Sequence, residues 1–246
     1  MTQLADRTAL VTGGARGIGA GIVQRLAADG AHVVFTYASG HGPAEELVAR
    51  VRKAGGSAVA VQADSADRAQ VARVVDDVVQ ERGGLDIVVS SAGGGALHSL
   101  AETDFDDIDR MIDVNVRGTV AVVKHALPHL KEGGRVVTVG SVTSHHAPDE
   151  ISSVYALTKG AVASFVRGMA RELGPRGITI NNVQPGPVHT DANPEDGPAG
   201  EWLRSKIAIG RFGKVSEVAS FVSYLVSDEA SLVTGASLDI DGGYSL

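Results

Sequence analysis

Residues Thr8 to Gly19 read "TALVTGGARGIG", a short apolar run that ends at Thr12 and opens straight into a glycine-rich turn. The run has the length of a strand, and a helical pattern begins at Gly17. Glycines 13, 17 and 19 let the backbone turn sharply and approach an anion, whose charge a helix N-terminus stabilises. The spacing, Gly-x-x-x-Gly-x-Gly, is a variant of the dinucleotide fingerprint. An ordinary left-handed turn would use the same glycines. What favours a pyrophosphate is the placement, after the first strand and before a helix.

Working outward, strand-like runs at Thr8–Thr12, His32–Tyr37, Ser57–Gln62, Ile87–Ser90, Arg135–Gly140, Ile178–Gln184 and Ser237–Ile240 alternate with helical patterns. The helices are expected at Gly17–Asp29, Glu45–Ala54, Arg68–Arg82, Phe105–Leu130, Val154–Leu173 and Val215–Ser227. Alternation of this kind predicts an α/β fold: a single Rossmann-type doubly wound domain over residues 1–246, with a seven-stranded parallel sheet flanked by helices on both faces. The exception is "PGPVHTDANPEDGPA", Pro185 to Ala199, with its four prolines. It predicts a long loop beyond a strand's carboxyl end, part of a substrate-side lid at about 187–210 that includes Trp202. A disordered surface excursion is the plainer alternative.

Composition sets bounds on this. The chain has 246 residues, 43% hydrophobic and 21% charged, enough for one domain to bury about 70–75% of its unfolded surface. With no cysteine there is no disulfide framework, thiolate nucleophile or Cys-ligated metal, and no metal site is expected. A formal net charge of −7 and the lack of a basic patch argue against nucleic acid as a partner. The start, "MTQLADRTALVTGG", does not read as a secretory signal, and no apolar run is long enough to span a membrane. The expectation is a soluble, cytoplasmic protein.

The second strand ends "VVFTYASG". An NAD-binding unit places an acidic residue there for the ribose 2′-hydroxyl. Here Thr36, Tyr37, Ala38 and Ser39 occupy the stretch, with no carboxylate to repel a 2′-phosphate, and Arg16 in the glycine turn is placed to pair with one. NADP(H) is therefore favoured over NAD(H). A solvated loop cation is the bland reading of Arg16.

The strand "GRVVTVGSV" delivers Ser141 at its C-terminal end, and fourteen residues on come Tyr155 and Lys159 in "YALTK". A Tyr and a Lys four apart share one helix face, which by itself is an ordinary surface pair. Together with "TGGARGIG", "NNVQPGPVHT" and "DIDGGYSL", in this order and spacing, these motifs resemble the short-chain dehydrogenase/reductase family over essentially the whole chain, in particular ketoreductases like 3-oxoacyl-carrier-protein reductase.

That resemblance implies reversible, NADPH-dependent reduction of a ketone or 3-oxoacyl carbonyl to a secondary alcohol. Tyr155 would be the acid/base, Lys159 would act on its acidity and bind the nicotinamide ribose, and Ser141 would hydrogen-bond the substrate oxygen. A phenol ordinarily titrates near 10, so proton transfer near neutrality asks for ~4 kcal/mol, which one ammonium at about 4 Å can supply. Asn115 falls where the family holds a water relay behind the Lys, although a packing residue is the plain reading of a mid-helix Asn. Asp64 matches an adenine contact and also suits a helix cap or turn. By the same resemblance, Ile18 joins Gly13, Gly17 and Gly19 at the cofactor, as do Tyr37, Ser39 and Ser65, and the Ala92–Gly93 backbone passes it. Pro185, Gly186, Val188 and Thr190 are also expected to bind the cofactor, alongside Tyr155 and Lys159.

Two departures stand out. "SSAGGG", Ser90 to Gly95, replaces the family's Asn-Asn-Ala-Gly, which puts its usual bracing amides in doubt. The segment "VTSHHAPDEISSV" adds His145, His146 and further serines before Tyr155. Adjacent histidines point opposite ways in an extended chain, so they do not read as a metal pair; a solvated loop is expected, with a substrate contact by one of them as the lesser alternative. The apolar Val162, Phe165, Val166 and Met169 suggest a helix with a second partner, and the family implies a homotetramer. An NAD-preferring alcohol dehydrogenase of the same family and a non-catalytic dinucleotide-binding regulatory protein are the alternative functions.

Overall fold

In the computed structural model of the chain, described for residues 3–95, 98–147, 149 and 151–246, seven strands form one sheet. Met1 and Thr2 of the N-terminal stretch, and Pro148 and Glu150 of the segment before Tyr155, lie outside the described residues. The strands are β1 (Thr8–Thr12), β2 (His32–Tyr37), β3 (Ser57–Gln62), β4 (Leu85–Ser90), β5 (Leu130–Val139), β6 (Thr179–Pro185) and β7 (Ser237–Ile240). Their order is β3-β2-β1-β4-β5-β6-β7, every pairing parallel. Chain direction across the sheet reverses between β1 and β4, and a crevice for a ligand opens outside the carboxyl ends at such a point.

Helices cover both faces. Helices α1 (Gly17–Ala28), α2 (His41–Lys53) and α8 (Val215–Val226) enclose one apolar layer with Ile22, Leu26, Leu47 and Val222 at its centre. On the other face α3 (Arg68–Arg82), α5 (Gly118–Ala126) and α6 (Ser153–Leu173) enclose Val75, Val122, Val166 and Leu173. β1 is buried along its whole length, as a central strand covered on both sides must be, whereas edge strand β3 alternates partly exposed positions. Local signals set the helix ends. Asp67 caps α3 by accepting from the Ala69 and Gln70 amides at 2.9 and 3.1 Å, and Gly83 ends it at φ +74°.

Three expectations need correcting. The continuous helix over Phe105–Leu130 is broken into α4 (Phe105–Met111), a π-helical turn over Ile112–Arg117, and α5. It stops at Ala126 because Pro128 has no N–H with which to continue the helical ladder, although Leu127 before it is still helical, and β5 starts at Leu130 instead of Arg135. The segment 187–210 is not all irregular: it holds α7 (Gly200–Lys206), anchored by Leu203 and Ile207 on Val142, Phe212 and Tyr244. Finally, Val162, Val166 and Met169 are buried within the single chain and Phe165 packs against that core, so these four side chains do not themselves call for a partner.

Candidate active site

The glycine turn builds the larger of two adjoining hollows, a cleft of about 580 Å³ at the β1/β4 crevice. At Gly13, φ is +66°, and a Cβ there would lie 2.6 Å from the Ala92 Cα. At Gly19, a Cβ would collide with the Gly13 carbonyl oxygen. The backbone therefore forms a cradle that only glycine permits. Helix α1 begins beneath it with no side-chain cap and no acidic residue in its first turn, so its amide donors are left for an anion. Arg16 lines the cleft and reaches the β2–α2 turn, where its Nη2 lies 2.6 Å from the position a Cβ on Gly40 would take.

Lys159 is buried and donates from Nζ to the Val139 carbonyl at 3.0 Å. Its ammonium lies 5.4 Å from the centroid of the Tyr155 ring, and a Cβ on Gly93 would stand 3.3 Å from Nζ. An ammonium has three donors, and the carbonyl uses one. A glycine cradle, an uncapped helix end and two cations in one cleft fit a phosphorylated dinucleotide.

Tyr155 also lines the second hollow, a chamber of about 330 Å³ that holds Ser141. Ser141 closes β5 and caps a short 3-10 turn over Val142–Ser144: its Oγ accepts from the Thr143 amide at 3.2 Å and donates to Thr143 Oγ1 at 3.0 Å. Ser152 lines the chamber as well, whereas Ser144 donates to Gln184.

Among the residues expected at the cofactor, Gly13, Arg16, Gly17, Ile18, Gly19, Ala92, Gly93, Tyr155, Lys159 and Thr190 meet in the cleft. Pro185 and Gly186 line the chamber instead, and Val188 is buried in a bridge to Gly213. Tyr37 and Ser65 are buried outside the cleft lining, the Tyr37 hydroxyl bonding His41 Nδ1 at 2.8 Å, and Ser39 is exposed beside them. The Asp64 carboxylate also stands apart, gripped by Arg110 at 2.9 and 3.1 Å. Burial raises its pKa, but the Arg110 bonds and the Ala66 amide outweigh that and hold it below the ordinary carboxylate value.

Asn115 lies in the π turn and works through its side chain. Oδ1 accepts from the Gly94 amide at 3.1 Å, and Nδ2 donates to the Gly94 carbonyl at 2.9 Å and to Thr158 Oγ1 at 3.1 Å. It thus clamps the floor between cleft and chamber to the helix that carries Tyr155. The missing amides of "SSAGGG" are replaced by hydroxyls. Thr12 Oγ1 accepts from the Ser91 and Ala92 amides at 3.2 Å each, and Ser90 bonds Thr119 at 3.0 Å.

The sequence reading missed Asp149, Thr143 and Tyr244 in the chamber and Asp191 in the cleft. It also missed Gln184, which donates to Asp239 at 2.7 Å and reaches His145 at 3.2 Å. The two histidines do diverge: His145 turns to Asp239, and His146 meets the Tyr244 ring edge-on at 5.5 Å. Among the described residues, no group of three His, Asp or Glu is arranged to hold a metal, and no helix is long and apolar enough to cross a membrane.

Comparison with known proteins identifies the family. Residues 13–245 match the family model described as enoyl-(acyl carrier protein) reductase. A cyclic-di-GMP-binding biofilm dispersal mediator protein of Escherichia coli is 44% identical over 99% of each chain. Among solved structures, a short-chain dehydrogenase/reductase from Serratia marcescens is 47% identical, with TM-score 0.97 over 99% of this chain and 100% of its own. A short chain dehydrogenase from Burkholderia cenocepacia in complex with NADP is 45% identical, with the same TM-score and coverage. The family model, the curated relative and the solved structures converge on one conclusion: the chain belongs to the short-chain dehydrogenase/reductase family of oxidoreductases.

Proposed function

We propose that the chain is an NADPH-dependent reductase that converts a ketone or 3-oxoacyl carbonyl into a secondary alcohol, reversibly. The observation that carries this is the position of Tyr155, shared by the cofactor cleft and the chamber that holds Ser141. NADPH, when bound, supplies the hydride. The remaining work falls to the chain. Ser141 turns its hydroxyl from Thr143 Oγ1 to the substrate oxygen and orients it. Tyr155 passes its proton to that oxygen, and the Lys159 ammonium beside the ring offsets the negative charge left behind. Asn115 keeps the Gly94 floor and the Tyr155 helix in register. Arg16, with no acidic residue at the end of β2, supports NADP(H) over NAD(H), as does the NADP held by the Burkholderia relative.

The same reading has one catalytic domain over residues 1–246, closed by the segment at 187–210, working in the cytoplasm on a small-molecule carbonyl without nucleic acid or membrane. Exposed Phe105 and Leu157, on the packed helices α4 and α6, support self-association, and the family resemblance makes the expected assembly a homotetramer.

A second reading, a nucleotide-binding regulatory protein, is favoured by the Escherichia coli relative, a cyclic-di-GMP-binding biofilm dispersal mediator protein. The intact Ser141, Tyr155 and Lys159 favour turnover. Following NADPH absorbance with a panel of small ketones separates the two. Wild type is expected to oxidise NADPH with at least one ketone, and Tyr155→Phe to lose about a hundredfold or more in kcat. Binding of NADPH with no turnover above that variant overturns the reductase reading.

A further inference from the structure

The chamber beside Tyr155 carries a negative charge from Asp149, and among its described lining residues there is no Lys or Arg to balance it. The Lys159 ammonium belongs to the other hollow and is engaged by the Val139 carbonyl. Asp149 sits in a tight turn in which Oδ1 accepts from the Ile151 amide at 3.1 Å. An ionised carboxylate has about four acceptor positions, so one backbone donor leaves it able to receive another.

Tyr244 completes this side of the chamber. It is 7% exposed, fixed from one edge by His146, and packed with Val142, Ile207 and Phe212 under the lid helix. Burial, and then the negative charge of Asp149, push its phenol above the ordinary value, so it stays protonated and remains a donor. Besides Ser141 and Tyr155, the chamber thus presents an ionised acceptor and a phenolic donor in about 330 Å³ of partly apolar space. That volume suits a small ring compound.

We infer, resting on the reductase reading, that the chamber selects uncharged carbonyl compounds bearing a hydroxyl or phenol away from the reacting carbonyl, and rejects carboxylates of the same size. A substrate hydroxyl donates to Asp149 and meets the need for a partner that desolvation creates. A substrate carboxylate meets a like charge where screening is weaker than in water. A ketone with neither group leaves Asp149 without that partner, which costs affinity as well.

Asp149→Asn tests this with little disturbance, since an amide oxygen still accepts from the Ile151 amide while the charge is gone. The probes are 4-hydroxycyclohexanone and 4-oxocyclohexanecarboxylate. Turnover with NADPH is measured for wild type and Asp149→Asn. Binding of both probes to the Tyr155→Phe protein holding NADPH is measured by calorimetry. In wild type, kcat/KM for the hydroxyketone is expected to exceed that for the keto acid by about tenfold or more. Asp149→Asn is expected to bring the ratio within about threefold, chiefly by improving the keto acid, and the Tyr155→Phe complex to bind the probes in the wild-type order. Equal or better use of the keto acid by wild type, or an unchanged ratio in Asp149→Asn, overturns the inference. Should wild type reduce neither probe nor any other ketone while the binding order holds, the reductase reading fails and the chamber's selectivity stands. The binding arm does not depend on Asp149→Asn folding.

Discussion

Arg16 rests its guanidinium over Gly40, whose φ of +87° and missing Cβ leave room for it at the β2–α2 turn. A guanidinium–phosphate fork is strong and directional, so Arg16→Ala is expected to raise the KM for NADPH by about tenfold to a hundredfold while changing that for NADH little. Gly40→Ala should act the same way but more weakly, by about threefold to tenfold, because the new methyl displaces the guanidinium without removing it; the left-handed backbone adds about 1 kcal/mol of strain. Steady-state kinetics with both cofactors checks the pair, and equal effects on NADPH and NADH overturn the assignment. The place of Arg16 beside the glycine cradle was legible from a glycine turn after a strand and a strand end without acid. The role of Gly40 was not, since a lone glycine before a helix reads as punctuation and only the fold brings Arg16 across to it. Asp149 and Tyr244 were illegible for the same reason, lying 95 positions apart in sequence.

At the scale of elements, the strands were the most legible part, because buried parallel strands are short apolar runs bounded by turns. β1, β2, β3 and β7 fall where the sequence places them. The π turn was not legible. Ile112–Arg117 keeps helical composition, and its extra residue per turn is stabilised by contacts Asn115 makes with Gly94 and Thr158, far away in sequence. The network behind Ser141 is also tertiary. Gln184 on β6 accepts from Ser144 and from Asn182 Nδ2 at 3.0 Å, and donates to Asp239 on β7, while His145 Nε2 reaches Asp239 Oδ2 at 3.3 Å. These bonds tie the 3-10 turn that begins at Ser141 to two strands without touching the chamber. Gln184→Leu keeps the approximate volume, removes that tie and leaves polar partners unsatisfied. It is expected to destabilise the fold by about 1–3 kcal/mol and to lower kcat severalfold with KM for NADPH unchanged. An unchanged kcat alongside the lost stability would show that the turn holds Ser141 in place without Gln184.

Over the whole molecule, the fold keeps several acids ionised. Glu217 is held down to about 2, chiefly by its bond to Arg211, then by the Lys214 amide. Its oxygens lie 2.7 and 2.9 Å from Arg211 and 2.7 Å from that amide, joining the start of α8 to the segment behind the lid. Asp228 is lowered by Arg7, through a hydrogen bond first and then its charge. His32 is lowered first by burial and then by the Arg82 charge, and its Nε2 is buried without a partner in the fold. All these groups prefer the deprotonated form in the folded chain, so their stabilisation is complete above their unfolded values and is lost as pH falls. Erosion begins below about 6.5 with His32 and continues below about 4.5 with Glu217, which gives up its share only as pH approaches about 2. The Glu217–Arg211 pair is partly exposed, so its contribution is modest and sensitive to salt. Glu217→Gln is therefore expected to melt about 2 °C below wild type at pH 7. That gap should narrow as pH drops through 4.5 and vanish near 2, because protonation does to the native side chain what the substitution has already done. Thermal melts of both proteins across this range decide it, and a gap that stays constant with pH would mean that the bond to Arg211 contributes through shape and not through charge.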